Sequence, residues 1–306
     1  MTPVLRRAIP VLMATLALAH TGCGSKSERT PTGPQQPTTS GAEGRLSAMA
    51  VAPSLGAADP YAVLGGSTVT NTGPSVVNGD LGISPGAACS GFPAPCTGGG
   101  PGTVNGTIHA ADANSLAAQN SIVTAYNALE TGQACDVSLT GTNLGGLTLT
   151  PGVYCFSSSA QLTGTLTLNA LGNPNAVWVF QIGSTLTTAS SSSVVFLNQV
   201  GQPCSVFWQV GSSATLGTST DFTGNILALA SITLNTGANS NGGLFARGGA
   251  VTLDTNVVSR VGSCGGGPQP SPTPLPGGPV PALPQGAGLA LLVVLLGTGA
   301  YILSRH

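Results

Sequence analysis

The 306-residue chain predicts a mainly β fold, a three-sided β-solenoid with one helix packed along a face. Three observations predict it. A Thr-apolar-x tripeptide recurs as Thr68-Val69-Thr70, Thr148-Leu149-Thr150, Thr165-Leu166-Thr167, Thr185-Leu186-Thr187, Thr215-Leu216-Gly217, Thr233-Leu234-Asn235 and Thr252-Leu253-Asp254. From position 148 onward the copies start 17, 20, 30, 18 and 19 residues apart. Most of these spacings suit a coil of three short strands joined by tight turns. The spacing of 30 marks one coil with a loop, placed around Asn198 to Pro203.

Two further strand classes run in step with the first. [Asn/Thr]-Gly-x-[Leu/Ile] occurs at Asn78, Asn105, Thr223 and Asn241, and its glycines suit turns or close backbone approach. Apolar strands are read at Val153–Phe156, Val177–Gln181 and Val206–Val210. Three strand types per period argue for a three-sided coil whose neighbours pair their backbones. One segment breaks the pattern. Ala110 to Leu129 lacks Gly and Pro and is rich in Ala, and Leu116, Ile122, Val123, Tyr126 and Leu129 fall on one helical face before Gly132. This predicts an amphipathic helix over about residues 109–131, with a purely structural role.

The flanks are read separately. Residues 1–22 carry Arg6 and Arg7 ahead of an apolar run, Ala8 to Ala19, too short to span a bilayer, which reads as an export signal. Thr21-Gly22-Cys23 is similar to the end of a lipoprotein signal, with Cys23 as the lipidated residue, although His20 stands where an aliphatic residue is preferred. Plain secretion is the alternative. Residues 23–57 form a Pro/Thr/Gly-rich tether, 58–264 the solenoid, and 265–284 a spacer with eight prolines that favour extended polyproline II. Residues 285–306 hold an apolar run, Ala287 to Leu303, and a basic end. They read as an anchor or sorting signal that attaches the chain to a membrane. The expected location is therefore outside the cytoplasm, at a cell surface or outer membrane, or secreted.

If Cys23 carries lipid, six cysteines remain, an even number suited to an oxidising compartment. The expected pairs are Cys89 with Cys96, Cys135 with Cys155, and Cys204 with Cys264, although fifteen pairings are possible in principle. No C-x-x-C or His cluster supports a metal site.

Charge is scarce. Only 6% of residues are charged, against about 25% in ordinary globular proteins, and the net charge is -1. That leaves no electrostatic footprint for nucleic acid. Between residues 61 and 264 the ionisable set is Asp80, Asp112, Asp136, Asp221, Asp254, Glu130, Arg247, Arg260 and His109, with no lysine. Most acid–base schemes lack parts, so no catalytic residue and no cofactor is expected.

In Thr-Leu-Thr the Leu points inward and both Thr point outward, because strand side chains alternate. Coils repeat every ~4.8 Å and residues two apart lie ~6.7 Å apart, so stacked threonines make a flat, uncharged grid. Thr is stiff at χ1, which preorders the grid. Hydroxyls anchor water while methyls limit free hydration. A repeating solid rewards many weak contacts made together. The competing explanation is that Thr simply suits exposed strands. The candidate contact residues are Thr68, Thr70, Thr148, Thr150, Thr165, Thr167, Thr185, Thr187, Thr215, Thr233, Asn235 and Thr252, with Gly217, Asn235 and Asp254 interrupting the pairs.

Six stretches carry a family resemblance: 61–74 (YAVLGGSTVTNTGP), 77–86 (VNGDLGISPG), 146–154 (GLTLTPGVY), 180–188 (FQIGSTLTT), 206–218 (VFWQVGSSATLGT) and 224–234 (GNILALASITL). Over about residues 58–262 the chain resembles the microbial ice-binding proteins. The resemblance implies a discontinuous, right-handed triangular β-solenoid with one long α-helix alongside, and adsorption to an ice crystal surface by one flat face. It also implies a loose T-[A/G]-x-[T/N] pattern, matched at Thr140–Asn143 and Thr236–Asn239. A monomer that inhibits ice growth or recrystallisation, or holds a cell to ice, is the expected function. The rival is a cell-surface adhesin or glycan-binding solenoid, which needs exposed aromatics; Trp178 and Trp208 fall in apolar strands and read as core.

Overall fold

The structure is a computed structural model and describes residues 49–260. Gly and polar turns interrupt every apolar run, so the chain forms short strands of two to five residues. All strand pairs are parallel, and they form three sheets of nine, seven and eight strands, the sides of a triangular solenoid. Each side repeats once per coil.

Sheet order reveals the discontinuity. In the first sheet the order runs Ile108–Ala110, Asp80–Ile83, Tyr61–Gly65, Leu244–Ala246, Asn225–Ala228, Val206–Val210, Trp178–Ile182, Gly152–Phe156, Val137–Ser138. The N-terminal coils therefore stack on the last coil of the chain. Val63 pairs with Leu244, Thr70 with Thr252 and Val76 with Val257. Arg260 seals this junction. Its side chain is 4% exposed, donates from Nε to the Asp59 carbonyl (2.6 Å), pairs with the Asp59 carboxylate (2.6 Å) and donates to Asn225 Oδ1 (3.0 Å).

The helix Ala113–Glu130 is the return path. The strand before it, Ile108–Ala110, ends one edge of the first sheet and the strand after it, Val137–Ser138, ends the other. Nine strands give eight spacings of ~4.8 Å, a span of ~38 Å. The 18-residue helix covers ~27 Å of that, and residues 131–136 cover the rest. Asp112 caps the helix, accepting from the Ser115 N–H at 2.8 Å while Ser115 Oγ accepts from the Asp112 N–H at 3.1 Å. The Asp112 carboxyl lies below the usual aspartate range, chiefly because of the Ser115 N–H, with further hydrogen bonds from His109 and Ser115.

The buried stripe is Ser115, Ala118, Gln119, Ile122, Ala125, Tyr126 and Leu129, packed on Leu64, Val153, Val179, Phe207, Leu227 and Phe245. The helical face expected from sequence is corrected here. Leu116 is 52% exposed and Val123 only half-buried. Alanines at 118 and 125 allow close approach, and Gln119 Nε2 donates to the Ser84, Ala246 and Arg247 carbonyls. These contacts set the rotation of the helix and turn Leu116 outward.

Inside the solenoid, aligned residues stack along the axis. The Phe180 ring stacks on Trp208, nearly parallel with centroids 3.8 Å apart, and lies 5.6 Å from Tyr154. Both tryptophans are fully buried and donate to backbone carbonyls. The Gly motif sits at the corner leading into the first sheet. A Cβ on Gly242 (φ +146°) would lie 2.2 Å from the Gly224 carbonyl oxygen, so only glycine fits this stacked corner. The long coil carries its excursion at 197–205, as two short 3₁₀ turns, and the coil before it carries another at 169–177 that the repeat spacing did not reveal.

Cys89–Cys96 clips the loop at one end of the stack, and Cys135–Cys155 ties the chain after the helix to the first sheet. The pairing expected for Cys204 reaches Cys264, outside the described residues, as do Cys23, the export signal, the spacer and the apolar C-terminal run. No helix among the described residues is long and apolar enough to cross a membrane.

Candidate functional site

The second sheet comprises Ala160–Leu162, Leu186–Thr188, Ala214–Leu216, Ile232–Leu234, Val251–Leu253, Thr68–Asn71 and Ala88–Ser90, in that order. Its strands are three or four residues long; in 160–162, 214–216, 232–234 and 251–253 one outward side chain lies between two inward apolar ones, while Thr188 and Asn71 take an inward place in their strands and 88–90 turns only Cys89 inward. Registration then makes a column: Gln161, Thr187, Thr215, Thr233, Thr252, Thr70, Ser90. Five consecutive coils present Thr at one point of the lattice. Thr70 Oγ1 reaches Thr252 Oγ1 at 3.4 Å across the chain junction, so the column continues where the sequence does not.

A flanking column lies one pleat away. It contains Thr185, whose hydroxyl donates to Ser159 at 2.8 Å, and Thr68, which pairs with Ala88. Ser213 and Ser231 stand at the equivalent points of the coils between and bond to the next coil's backbone. Beneath both columns the inward residues Val69, Leu162, Leu186, Leu216, Ile232, Leu234, Val251 and Leu253 are fully buried and back the sheet with apolar core. On the outer surface of these strands the side chains are small hydroxyls, Ala and one terminal Gln.

Past the strand ends a third row holds Asn235, Asp254 and Thr72 at the corner toward the third sheet. Asp254 is its charged member. The Thr236 hydroxyl donates to it at 2.5 Å and the Thr255 hydroxyl at 3.1 Å, and these bonds hold its carboxyl below the usual aspartate range.

The structure divides the twelve sequence candidates between two faces. Thr68, Thr70, Thr185, Thr187, Thr215, Thr233 and Thr252 share the second sheet, with exposed Asn235 at its rim. Thr148, Thr165 and Thr167, followed by exposed Thr150, belong to the third sheet. That face is mixed. Its columns run Thr148, Thr167, Val195, Thr223, Asn241, Ser259, Asn78, Asn105 and Thr165, Ser193, Asp221, Asn239, Val257, Val76, Thr103. The outer side of the first sheet is under the helix.

Sequence reasoning followed threonine and missed Ser159, Ser213 and Ser231. A signal for Ser213 exists. Entry to the second sheet reads Gly66-Ser67-Thr68, Gly183-Ser184-Thr185 and Gly211-Ser212-Ser213, whereas Thr148 and Thr165 lack the Gly-Ser pair.

Residues 63–259 match the family described as ice-binding-like. The chain is 59% identical over 207 residues to an ice-binding protein of Nostoc sp. (strain HG1), covering 67% of this chain and 73% of that one. A solved ice binding protein from an Antarctic Biological Consortium is 45% identical with a TM-score of 0.65, covering 69% of this chain and 92% of that one. A solved ice-binding protein from the Antarctic ascomycete Antarctomyces psychrotrophicus is 41% identical with a TM-score of 0.65, covering 70% and 100%. Family match, discontinuous stacking and one return helix coincide over the same residues, and the chain belongs to the ice-binding-like family.

Proposed function

We propose that the protein adsorbs to ice through the outer face of the second sheet. The observation that carries this is the five-coil threonine column with its flanking hydroxyl column. Thr hydroxyls at a fixed repeat hold water at fixed points, and the methyls beside them limit competing hydration. Bound together, many such weak contacts make adsorption effectively irreversible and pin the advancing ice front. Growth inhibition and restraint of recrystallisation follow from that pinning. The ice surface is the partner, the acting unit is one copy of the chain, and the role is not enzymatic.

Relatives that carry the ice-binding name support the reading. So does the near absence of charge from the columns. We further propose that the chain is exported and held at a surface, through Cys23 or the apolar C-terminal run, with the tether and proline-rich spacer setting the face at a distance. The test replaces Thr185 and Thr233 by Tyr. Each bulky ring breaks the flat lattice, and thermal hysteresis should vanish while circular dichroism stays native. Undiminished hysteresis rejects this face.

A further inference from the structure

Asp254 reads as a flaw in the face. A free carboxylate draws its own hydration shell, which competes with ordered water. Its surroundings remove that conflict. Thr236 of the preceding coil donates at 2.5 Å, and Thr255 donates to the other carboxylate oxygen at 3.1 Å. Thr72 of the following coil faces the same carboxylate. A carboxylate offers about four lone-pair sites, so hydroxyls occupy most of them.

The chain is shaped around this cluster. Thr255 has φ +59°, an uncommon left-handed conformation for a β-branched residue, and there its hydroxyl meets Asp254. Gly73 of the next coil clears the space. A Cβ there would lie 2.1 Å from Thr255 Oγ1 and 2.7 Å from Asp254 Oδ1. Asn256 fixes the backbone beneath. Its Oδ1 accepts the Asp254 N–H, and its Nδ2 donates to the Asn235 and Ala238 carbonyls at 2.9 and 2.7 Å.

We propose that Asp254 is a positioning residue for ice adsorption, collecting the hydroxyl protons of Thr236, Thr255 and Thr72 so that their oxygens and methyls extend the threonine lattice around the corner of the second sheet. The inference rests on the second-sheet reading. A hydroxyl whose proton is committed inward presents lone pairs outward in one orientation, and an exposed threonine left alone rotates freely. The carboxylate thus trades its own charge for three oriented hydroxyls. The cluster spans coils 225–241, 244–259 and 61–78, so it orders the face where the chain is discontinuous.

The experiment uses the full chain with Asp254→Ala, Asp254→Asn and Thr233→Tyr, reading thermal hysteresis against pH, with melting temperature as the companion. Asp254→Ala should lower hysteresis about threefold, the share of a few contacts in a multivalent surface, with an unchanged melting temperature. Asp254→Asn, which accepts at Oδ1 but donates at Nδ2, should fall between. The groups facing Asp254 are the three hydroxyls, none of which titrates near it. Native hysteresis should therefore drop as pH falls below the usual aspartate range, and hysteresis of Asp254→Asn should stay flat. Full hysteresis in Asp254→Ala, alongside its loss in Thr233→Tyr, overturns the inference and leaves the face intact. Full hysteresis in both variants removes the face itself. A hysteresis loss that merely follows a lowered melting temperature also overturns the positioning role.

Discussion

The second and third sheets are made by the same coils, with strands of similar length and the same inward–outward alternation, yet they present opposite surfaces. On the second, the central column repeats Thr at five consecutive coils. On the third, polar groups satisfy one another. Asn105 donates to Asn78 (2.7 Å), Asn78 to Ser259 (3.0 Å), Asn239 to Asp221 (3.2 Å), and Thr223 to the Val194 carbonyl (2.9 Å). Val195 and Val257, 42% and 43% exposed, interrupt that network. Hydroxyl content alone does not make a face that orders water. One side chain must recur at the same point of successive coils, with no charge in that column.

The largest effect expected from this contrast is in activity. Thr233→Tyr on the second sheet should abolish thermal hysteresis, and Val195→Tyr on the third should leave it at the native value. Equal loss from both would erase the distinction between the faces. Next is the seam that both faces cross. Arg260→Ala removes the hydrogen bonds to Asp59 and Asn225 and should cost about 1.5–3 kcal/mol, read by denaturant unfolding. Hysteresis should fall only where the coils separate, between Thr252 and Thr70.

A smaller effect comes from rewriting the third face. Asp221→Thr combined with Val195→Thr and Asn241→Thr brings its columns closer to the second sheet's pattern. It should add measurable hysteresis to a Thr233→Tyr background, and no gain would mean that flatness of the second sheet, rather than its side chains, decides. The smallest is at the helix cap, remote from both faces. Asp112→Ala should cost about 1 kcal/mol. The Asp112 carboxyl is held below its ordinary value in the fold, so its contribution is full above the usual aspartate range. It is lost as pH falls through the lower folded value. Acid melting curves of native protein and Asp112→Ala should converge below that point.

Much of the fold was legible because a coil repeats its physics. Leu in Thr-Leu-Thr, the corner glycines and Trp178 with Trp208 each have one place to go in a stacked triangle. The assignment to sides was not legible. Thr165-Leu166-Thr167 and Thr185-Leu186-Thr187 are locally the same strand, but the first closes one coil on the third sheet and the second belongs to the next coil on the second sheet. Position after a corner decides this, and corners vary in length. Leu116 misled for a related reason: the helix is rotated by alanine contacts and by Gln119's hydrogen bonds, not by its largest apolar side chain. Asp254 read as an interruption because stacking, not local sequence, brings Thr236 of the preceding coil and Thr72 of the opening coil to it.

The joining of residues 61–78 to 244–259 has a bearing on how the molecule comes into being. A polypeptide made from its amino end can pair its opening strands at once with residues 80–105 on one edge, but their other edge waits until almost the last described residue exists, since those neighbours are about 180 positions away. Closure is therefore a late event that needs nearly the entire length at once. Until then the edge of the opening coils that meets Leu244–Ala246 has no neighbour.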